Sequence, residues 1–507
     1  MTNHISESYA FRTEPFEHQL AILNDSWDSE YCGLLMEQRT GKSKVVIDTA
    51  AILHSRGRIN SVLIVAPNGV QRNWINEEIP KHLPEYIAWK GVVFDSAKTR
   101  KNTALLDSLF DAGYHLRVLA INYEAVATKA GSDFMKRFLN ATECLFVADE
   151  TTRIKTPTAA VTKQMLKLAK MARYRRILNG TPVTQAPFDL YAQLMFLSED
   201  AVPTQSFISF KHRYADFLPD NHPLVQNIRR RGARYMPQII ASDKAGKPMY
   251  KNLDDLKSWV DKSCYRVTRA ECCDLPEKMY KRWTVVLPDA TKKTINGWLT
   301  AIKEGLTEEP VSKLTAVLLY QRLLCGTVPK QLSGTGNDEP LFSKPTDNPR
   351  IQAVLDIIDA YPRESIIFWA RFRRDLHEIS TAIEEHTGCP VARYWGDISD
   401  DEREEAKKDF QAGRTLHFVG QQGAGGVGLT LNKASVIVYH SNTFSLYHRL
   451  QSEDRAEHLQ KENGTLIIDI EVPGTLDGKI INALRAKKDV ADMITGDASG
   501  AWLTSLE

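Results

Sequence analysis

Short apolar runs rich in β-branched residues recur along this chain, bounded by Gly, Pro or Asn and separated by helix-like segments. They fall into two sets, at 61–67, 118–123, 144–148 and 176–178, and then at 365–370, 415–419, 436–440 and 465–470. Strands that are apolar throughout, rather than alternating, belong to parallel sheets covered by helices on both faces. Two such sets predict an α/β chain of two tandem lobes, each a doubly wound, mostly parallel sheet. The length of 507 residues agrees, being more than one core holds. The expected divisions are lobe 1 over 1–200, helical insertion and interlobe linker over 201–345, lobe 2 over 346–475 and a helical tail over 476–507.

Composition narrows the class without naming a partner. Apolar residues at 43% and charged residues at 25% describe a soluble globular chain. With 65 Lys+Arg against 63 Asp+Glu, affinity for nucleic acid has to come from local patches. One such patch is Arg229-Arg230-Arg231-Gly232-Ala233-Arg234, a guanidinium cluster suited to phosphate contacts and equally readable as a solvated loop. The seven cysteines are scattered, and Cys272-Cys273 are adjacent, so their spacing indicates neither a zinc site nor a disulfide framework. The polar N-terminus and the lack of a long apolar run predict a cytoplasmic protein with no membrane partner.

The segment Leu34-Leu35-Met36-Glu37-Gln38-Arg39-Thr40-Gly41-Lys42-Ser43 opens a helix-like stretch. A Gly-Lys-Ser at a strand-to-helix turn places backbone N–H groups and a positive helix terminus around phosphates. Lys42 then contacts the β- and γ-phosphates of ATP, Ser43 ligates Mg²⁺, and Arg39, Thr40 and Gly41 line the loop. Met36 stands where the strict motif has its first glycine. Further on, Cys144-Leu-Phe-Val-Ala-Asp149-Glu150 is an apolar strand ending in two carboxylates, an arrangement that is costly unless a cation sits there. Asp149 is the expected Mg²⁺ ligand and Glu150 the general base.

In this order the segments resemble superfamily 2 helicases, and the Snf2-like group within them, over nearly the whole chain. The resemblance implies RecA-like lobes with helical insertions. It assigns adenine reading to Gln19 within Pro15-Phe16-Glu17-His18-Gln19. Leu63-Ile-Val-Ala-Pro67 with Asn68 and Asn73-Trp74, and Ala120-Ile-Asn-Tyr123-Glu124, are similar to family segments that face nucleic acid. Asp149-Glu150-Thr151-Thr152, followed by Arg153, stands at the acidic box, and Asn179-Gly180-Thr181-Pro182 at the motif that couples hydrolysis to lobe movement. Leu190-Tyr-Ala-Gln-Leu-Met-Phe-Leu197, Tyr265-Arg266-Val267-Thr268-Arg269 and Leu275-Pro276-Glu277-Lys278 are similar to Snf2-type signatures and favour DNA over RNA. In lobe 2, Gly425-Gly426-Val427-Gly428-Leu429-Thr430 resembles the glycine-rich motif V, and Gln451-Ser-Glu-Asp454-Arg455 resembles motif VI with Arg455 as arginine finger.

The resemblance therefore implies catalytic roles for Lys42, Asp149, Glu150, Gln451 and Arg455, and nucleotide contacts that include Gly428. It implies nucleic-acid contacts at Asn68, Tyr123, Arg153, Gly180, Thr181, Arg229, Arg230, Arg231, Gly425 and Gly426. The expected activity is an ATP- and Mg²⁺-dependent translocase on duplex or branched DNA, working as a monomer with low sequence specificity. Thr430 points toward the annealing-helicase or fork-remodelling side, in a minimal motor of bacterial or phage type. Two departures from the family pattern are Arg39, where relatives have glycine, and His458, where they have a second arginine. The alternatives are an RNA-unwinding ATPase, a nucleotide-gated DNA clamp with little turnover, and the motor subunit of a restriction system.

Overall fold

The computed structural model describes residues 9–495 except 98, 112, 114, 231–237, 245–246, 273–277, 309–312, 424–430 and 457–463. The chain divides into two compact units. The first is Met1–Cys273 with Lys487–Ser499, and the second is Asp274–Ala486 with Gly500–Glu507.

Unit 1 is built on seven strands: β1 (Tyr31–Met36), β2 (Ser61–Ala66), β3 (Trp89–Val93), β4 (Leu116–Asn122), β5 (Cys144–Asp149), β6 (Tyr174–Leu178) and β7 (Cys264–Val267). They form one sheet in the order β3-β4-β2-β5-β6-β1-β7, and every pairing is parallel. The non-alternating apolar runs have the reason inferred from sequence. Leu63 and Val65 of β2 join one core with Leu119, Phe146 and Ile177, while Val62 and Ile64 join another with Val118, Leu145 and Val147. Each such side chain, fully withdrawn from water, contributes about 1.5–3 kcal/mol. The helices α1 (Glu17–Ser26) and α2 (Lys42–Ser55) pack on the second core through Ile22, Leu23, Val45 and Val46.

Unit 2 repeats the scheme with β8 (Met279–Thr284), a small antiparallel pair β9 (Thr327–Val328) and β10 (Glu339–Pro340), then β11 (Ile366–Ala370), β12 (Ala392–Tyr394), β13 (His417–Gln421), β14 (Val436–Tyr439) and β15 (Leu466–Glu471). Its main sheet has the order β12-β13-β11-β14-β15-β8, again parallel throughout. Ile366 and Phe368 face one core, Ile367 and Trp369 the other.

All eight expected strands are present. The stretch 201–345, read from sequence as helical insertion and linker, also supplies an edge strand to each sheet, β7 to the first and β8 to the second. Neither is a continuous apolar run: Cys264-Tyr265-Arg266-Val267 is short and carries an arginine, and Met279–Thr284 carries Lys281 and Arg282. Edge strands are covered less completely, so their pattern weakens. Gly33 of β1 sits opposite Cys264 in the ladder, and a Cβ there would come within 2.3 Å of the cysteine sulfur, so β7 docks only on a glycine. The tail expected beyond residue 475 contains the helix Leu476–Thr495. Among the described residues no helix is long and apolar enough to cross a membrane.

Candidate nucleotide site and neighbouring loops

Strand order brings the sequence segments together in unit 1. Going from β4 through β2, β5 and β6 to β1, adjacent parallel strands end at Asn122, Ala66, Asp149, Leu178 and Met36, so the loops that follow share one rim. The ladder fixes their levels: Asp149 lies beside Leu178, and Leu178 beside Leu34. This is the carboxyl edge of an open parallel sheet, where such folds bind ligands.

The phosphate loop runs from Glu37 to Gly41, where α2 begins. Gly41 has φ 85°, and a Cβ on it would lie 2.0 Å from the Gln19 amide nitrogen, so both backbone and packing exclude a side chain. Arg39 is also left-handed, at φ 68°, so the arginine keeps the backbone conformation that suits the glycine expected there. Lys42 Nζ donates to the carbonyls of Met36 at 2.8 Å and Glu37 at 2.9 Å.

Gln19 is 1% exposed; its Nε2 donates to Thr40 O at 3.0 Å and its Oε1 accepts from Phe16 N–H at 3.0 Å. In this state it clamps α1 to the phosphate loop, with His18 Nε2 also on Thr40 O. Behind the loop, Glu37 is paired with Arg266 at 3.5 Å and Arg269 at 3.2 Å. Arg266 Nη1 also donates to Leu35 O at 2.7 Å and Gly180 O at 3.2 Å. One guanidinium thus ties the edge strand β7 to the phosphate loop and to the Asn179-Gly180-Thr181 loop.

Asp149 ends β5 in a buried position, held by Trp74 Nε1 donating to Oδ2 at 3.0 Å and by the Tyr123 hydroxyl donating to its carbonyl at 2.7 Å. Burial raises its pKa, against the opposing pull of the Trp74 hydrogen bond and the Lys42 charge. Glu78 joins the same cluster. Its pKa is raised by burial first, with the Lys81 charge and the Ser43 hydroxyl's hydrogen bond opposing and the Asp149 charge adding to the rise. The buried Asp149 carboxylate, the partly buried Glu78 carboxylate and the Ser43 hydroxyl make a hard oxygen set suited to Mg²⁺, with the Lys42 charge beside it. Glu150 follows at φ 53°, a left-handed turn that ends the strand and starts the short helix Thr151–Ile154.

A buried polar network then connects the acidic box to the next loop. Gln193 Oε1 accepts from Thr151 Oγ1 at 2.6 Å and Asn179 Nδ2 at 2.8 Å, while its Nε2 donates to the carbonyls of Pro182 and Asp189, both at 2.7 Å. Asn179 Oδ1 accepts from Thr181 N–H at 2.9 Å. Gln193→Leu keeps the volume but takes from the Thr151 hydroxyl its acceptor and from the Asn179 amide one of its two. The expected result is a loss of about 1–3 kcal/mol, read as a lower urea midpoint with the slope unchanged; an unshifted midpoint would show the network to be unimportant.

In unit 2 the helix Leu446–Glu453 and the short turn Asp454–Ala456 after it carry the residues that resemble motif VI. Arg449 is buried, forms a pair with Asp469 and a 2.6 Å bond to Glu453, and lies 3.6 Å over the Tyr439 ring. Lys278 reaches Glu453 and Asp454, each at 3.3 Å. Arg455 is buried, and its Nη2 donates to Gln451 Oε1 at 2.8 Å.

Several expected contacts are placed differently. Tyr123, expected to face nucleic acid, is 3% exposed, because its hydroxyl is drawn inward to the Asp149 carbonyl. Asn68 accepts from Gln71 and Asn122 on the rim, Arg153 is exposed near Glu124 at 4.0 Å, and Gly180 and Thr181 lie in the loop after β6. Arg229 and Arg230 end the helix Pro223–Arg230; Arg231, Gly425, Gly426, Gly428, Thr430 and His458 lie outside the described residues. Sequence reading missed Trp74 and Glu78 as partners of the acidic site. They lie on a π-helical turn, Trp74–Glu78, whose wider pitch moves Glu78 off the face that ordinary helical spacing assigns it.

Comparison with known proteins identifies the family. Residues 19–310 match the SNF2-related domain, and residues 349–459 match the helicase conserved C-terminal domain. Chromodomain-helicase-DNA-binding protein 1-like of Mus musculus is 21% identical over 91% of this chain and 48% of its own length. The DNA annealing helicase and endonuclease ZRANB3 of Mus musculus is 23% identical over 90% of this chain and 38% of its own length. The chain thus spans less than half the length of these curated relatives. A solved SWI2/SNF2 ATPase core of Sulfolobus solfataricus in complex with dsDNA aligns over 99% of this chain and 97% of that one, with 18% identity and a TM-score of 0.41. Since the SNF2-related match alone takes in more than half of the residues and spans the rim just described, the chain belongs to the SNF2-related family, within the Snf2-like group of superfamily 2 helicases.

Proposed function

We propose that the chain is an ATP-dependent DNA translocase that remodels forks, junctions or complementary strands in replication, recombination or repair. The observation that carries this reading is the rim of unit 1, where Lys42, the buried Asp149 and the Asn179–Thr181 loop stand at or just beyond the ends of neighbouring strands, the Lys42 charge bears on Asp149, and Asn179 donates to the hydroxyl of Thr151 beyond the acidic pair. A relative named as a DNA annealing helicase supports the choice of DNA and of this branch.

In this reading Lys42 exchanges its two carbonyl partners for phosphate oxygens when ATP enters, and Ser43 and Asp149 hold Mg²⁺ with Glu78 beside them. Mg²⁺, when bound, neutralises charge on the phosphate oxygens. Glu150 takes the proton of the attacking water. The change at Asp149–Thr151 passes through Gln193 to the Asn179–Thr181 loop and, by way of Gly180, to Arg266. Arg455, held by Gln451, keeps the role of arginine finger.

The test is phosphate release in the presence of duplex, forked and single-stranded DNA and of RNA, with binding measured across a salt series. Duplex or branched DNA should stimulate most, and log affinity should fall linearly with log salt at a slope of about −0.9 per phosphate contacted. Equal or greater stimulation by RNA would turn the assignment to an RNA-unwinding ATPase. Tight nucleotide-dependent DNA binding with no phosphate release would leave only a clamp.

A further inference from the structure

Unit 2 holds a second cluster of reactive side chains that the nucleotide site does not use. Cys325 follows the helix Lys313–Leu324, Asp375 lies in the first turn of the helix Arg373–Thr387, and His440 follows β14. They are 1%, 1% and 0% exposed, and a thiol, a carboxylate oxygen and an imidazole nitrogen from them all lie within 4.8 Å of one another. Asp375 Oδ2 is 3.6 Å from His440 Nδ1. Beyond the Cys325 thiol beside it, Asp375 has no hydrogen-bond partner for its oxygens among the described residues, and neither ring nitrogen of His440 has one.

Buried polar atoms are almost always satisfied, so a carboxylate and an imidazole left this way beside a thiol require a reason. The nearby cation does not supply it. Arg350 is buried beside them, but its Nη1 is engaged by Asp477 at 2.6 Å and its Nη2 is directed to the carbonyls of His440 and Ile470. Asp477 matches its charge. Burial accordingly pushes Asp375 up to about 7, raises the Cys325 thiol and holds His440 well below the usual imidazole range, with Arg350 adding to the last.

We infer that Cys325, Asp375 and His440 form a binding site for one divalent transition ion of the zinc class. A thiolate, an imidazole and a carboxylate are the donors zinc takes, and thiolate selects it over Mg²⁺. Bonds of about 2.0–2.3 Å set zinc ligands about 3.3–3.8 Å apart, the spacing the carboxylate and imidazole already have. The thiol closes by side-chain rotation, and a water completes the shell. The charges balance, since a divalent ion meets one thiolate and one carboxylate while the thiol proton, with any proton held by Asp375, is released to solvent. Such an ion joins two helix termini to the end of β14, next to Ser441, whose hydroxyl accepts from Arg371 N–H. The ligands are too far apart in the chain for any C-x-x-C reading, which is why cysteine spacing gave no sign of them.

The experiment measures bound metal in the purified chain by mass spectrometry and then titrates the metal-free chain with Co²⁺ alone. One zinc per chain is expected, and Co²⁺ should produce a thiolate-to-cobalt charge-transfer band with tetrahedral ligand-field absorption. Cys325→Ser should abolish the charge-transfer band, and Cys389→Ser, which alters an exposed cysteine, should leave it intact. Substoichiometric zinc together with no thiolate band in the unsubstituted chain overturns the inference without need of a variant. So does a band that is lost in the Cys389 variant instead. The reading is independent of ATP turnover, because neither measurement involves the nucleotide site.

Discussion

Lys42→Ala should lower DNA-stimulated ATP turnover by about 10²–10³-fold, the usual loss when one preorganised positive donor is removed from a site where charge develops. The ammonium holds the carbonyls of Met36 and Glu37 at the mouth of the phosphate loop, and its charge bears on Asp149. Alanine therefore removes a donor to the transferring phosphate and relaxes the loop at the same time. The loop has other restraints, namely Gln19 on Thr40 and Arg269 on Glu37, so the fold should persist. Circular dichroism and the urea midpoint check the fold, and phosphate release checks the chemistry. Near-normal turnover in a folded variant would show that Lys42 does not serve the phosphates.

Glu150→Gln should separate binding from chemistry. The amide keeps the size of the side chain and the left-handed turn at φ 53°, but it cannot accept a proton. General-base catalysis of this kind contributes about 10²–10⁴-fold, so turnover should fall by that factor while nucleotide affinity holds or rises. Fluorescent-nucleotide titration alongside single-turnover hydrolysis reads both. A fall in affinity with unchanged hydrolysis would place Glu150 in ground-state binding and leave the base to another group, Glu78 being a candidate in this cluster.

The candidate nucleotide site was legible from sequence to a degree that depended on distance along the chain. Gly41-Lys42-Ser43 and Asp149-Glu150 were readable because each is a local arrangement, a turn that opens a helix or a strand that ends in charge. Tyr123 was misplaced, because an aromatic residue at a strand end reads equally as a stacking platform or as a core residue; its hydroxyl's reach to Asp149 O decides for the core. Gln193 lay within a quoted signature without a role, since its bonds go to Thr151, Asn179 and Pro182, which helical periodicity does not bring near it. Glu78 was hidden by a π-helical turn, and Trp74, named in a segment expected to face nucleic acid, is instead buried with its ring N–H on Asp149.

The sequence by itself determined that this is a two-lobed parallel α/β chain and where its candidate phosphate loop and acidic strand end lie. These follow from local periodicity, burial of strands on both faces, and the cost of ending an apolar strand in two carboxylates. Only the tertiary structure decided which strands are neighbours, that β7 and β8 complete the two sheets, and that Arg266 braces two loops. The same holds for the convergence of Cys325, Asp375 and His440 on one buried point. Those facts depend on pairing between residues remote in the chain, and pairing is set by the packing of whole elements, which no window of sequence contains.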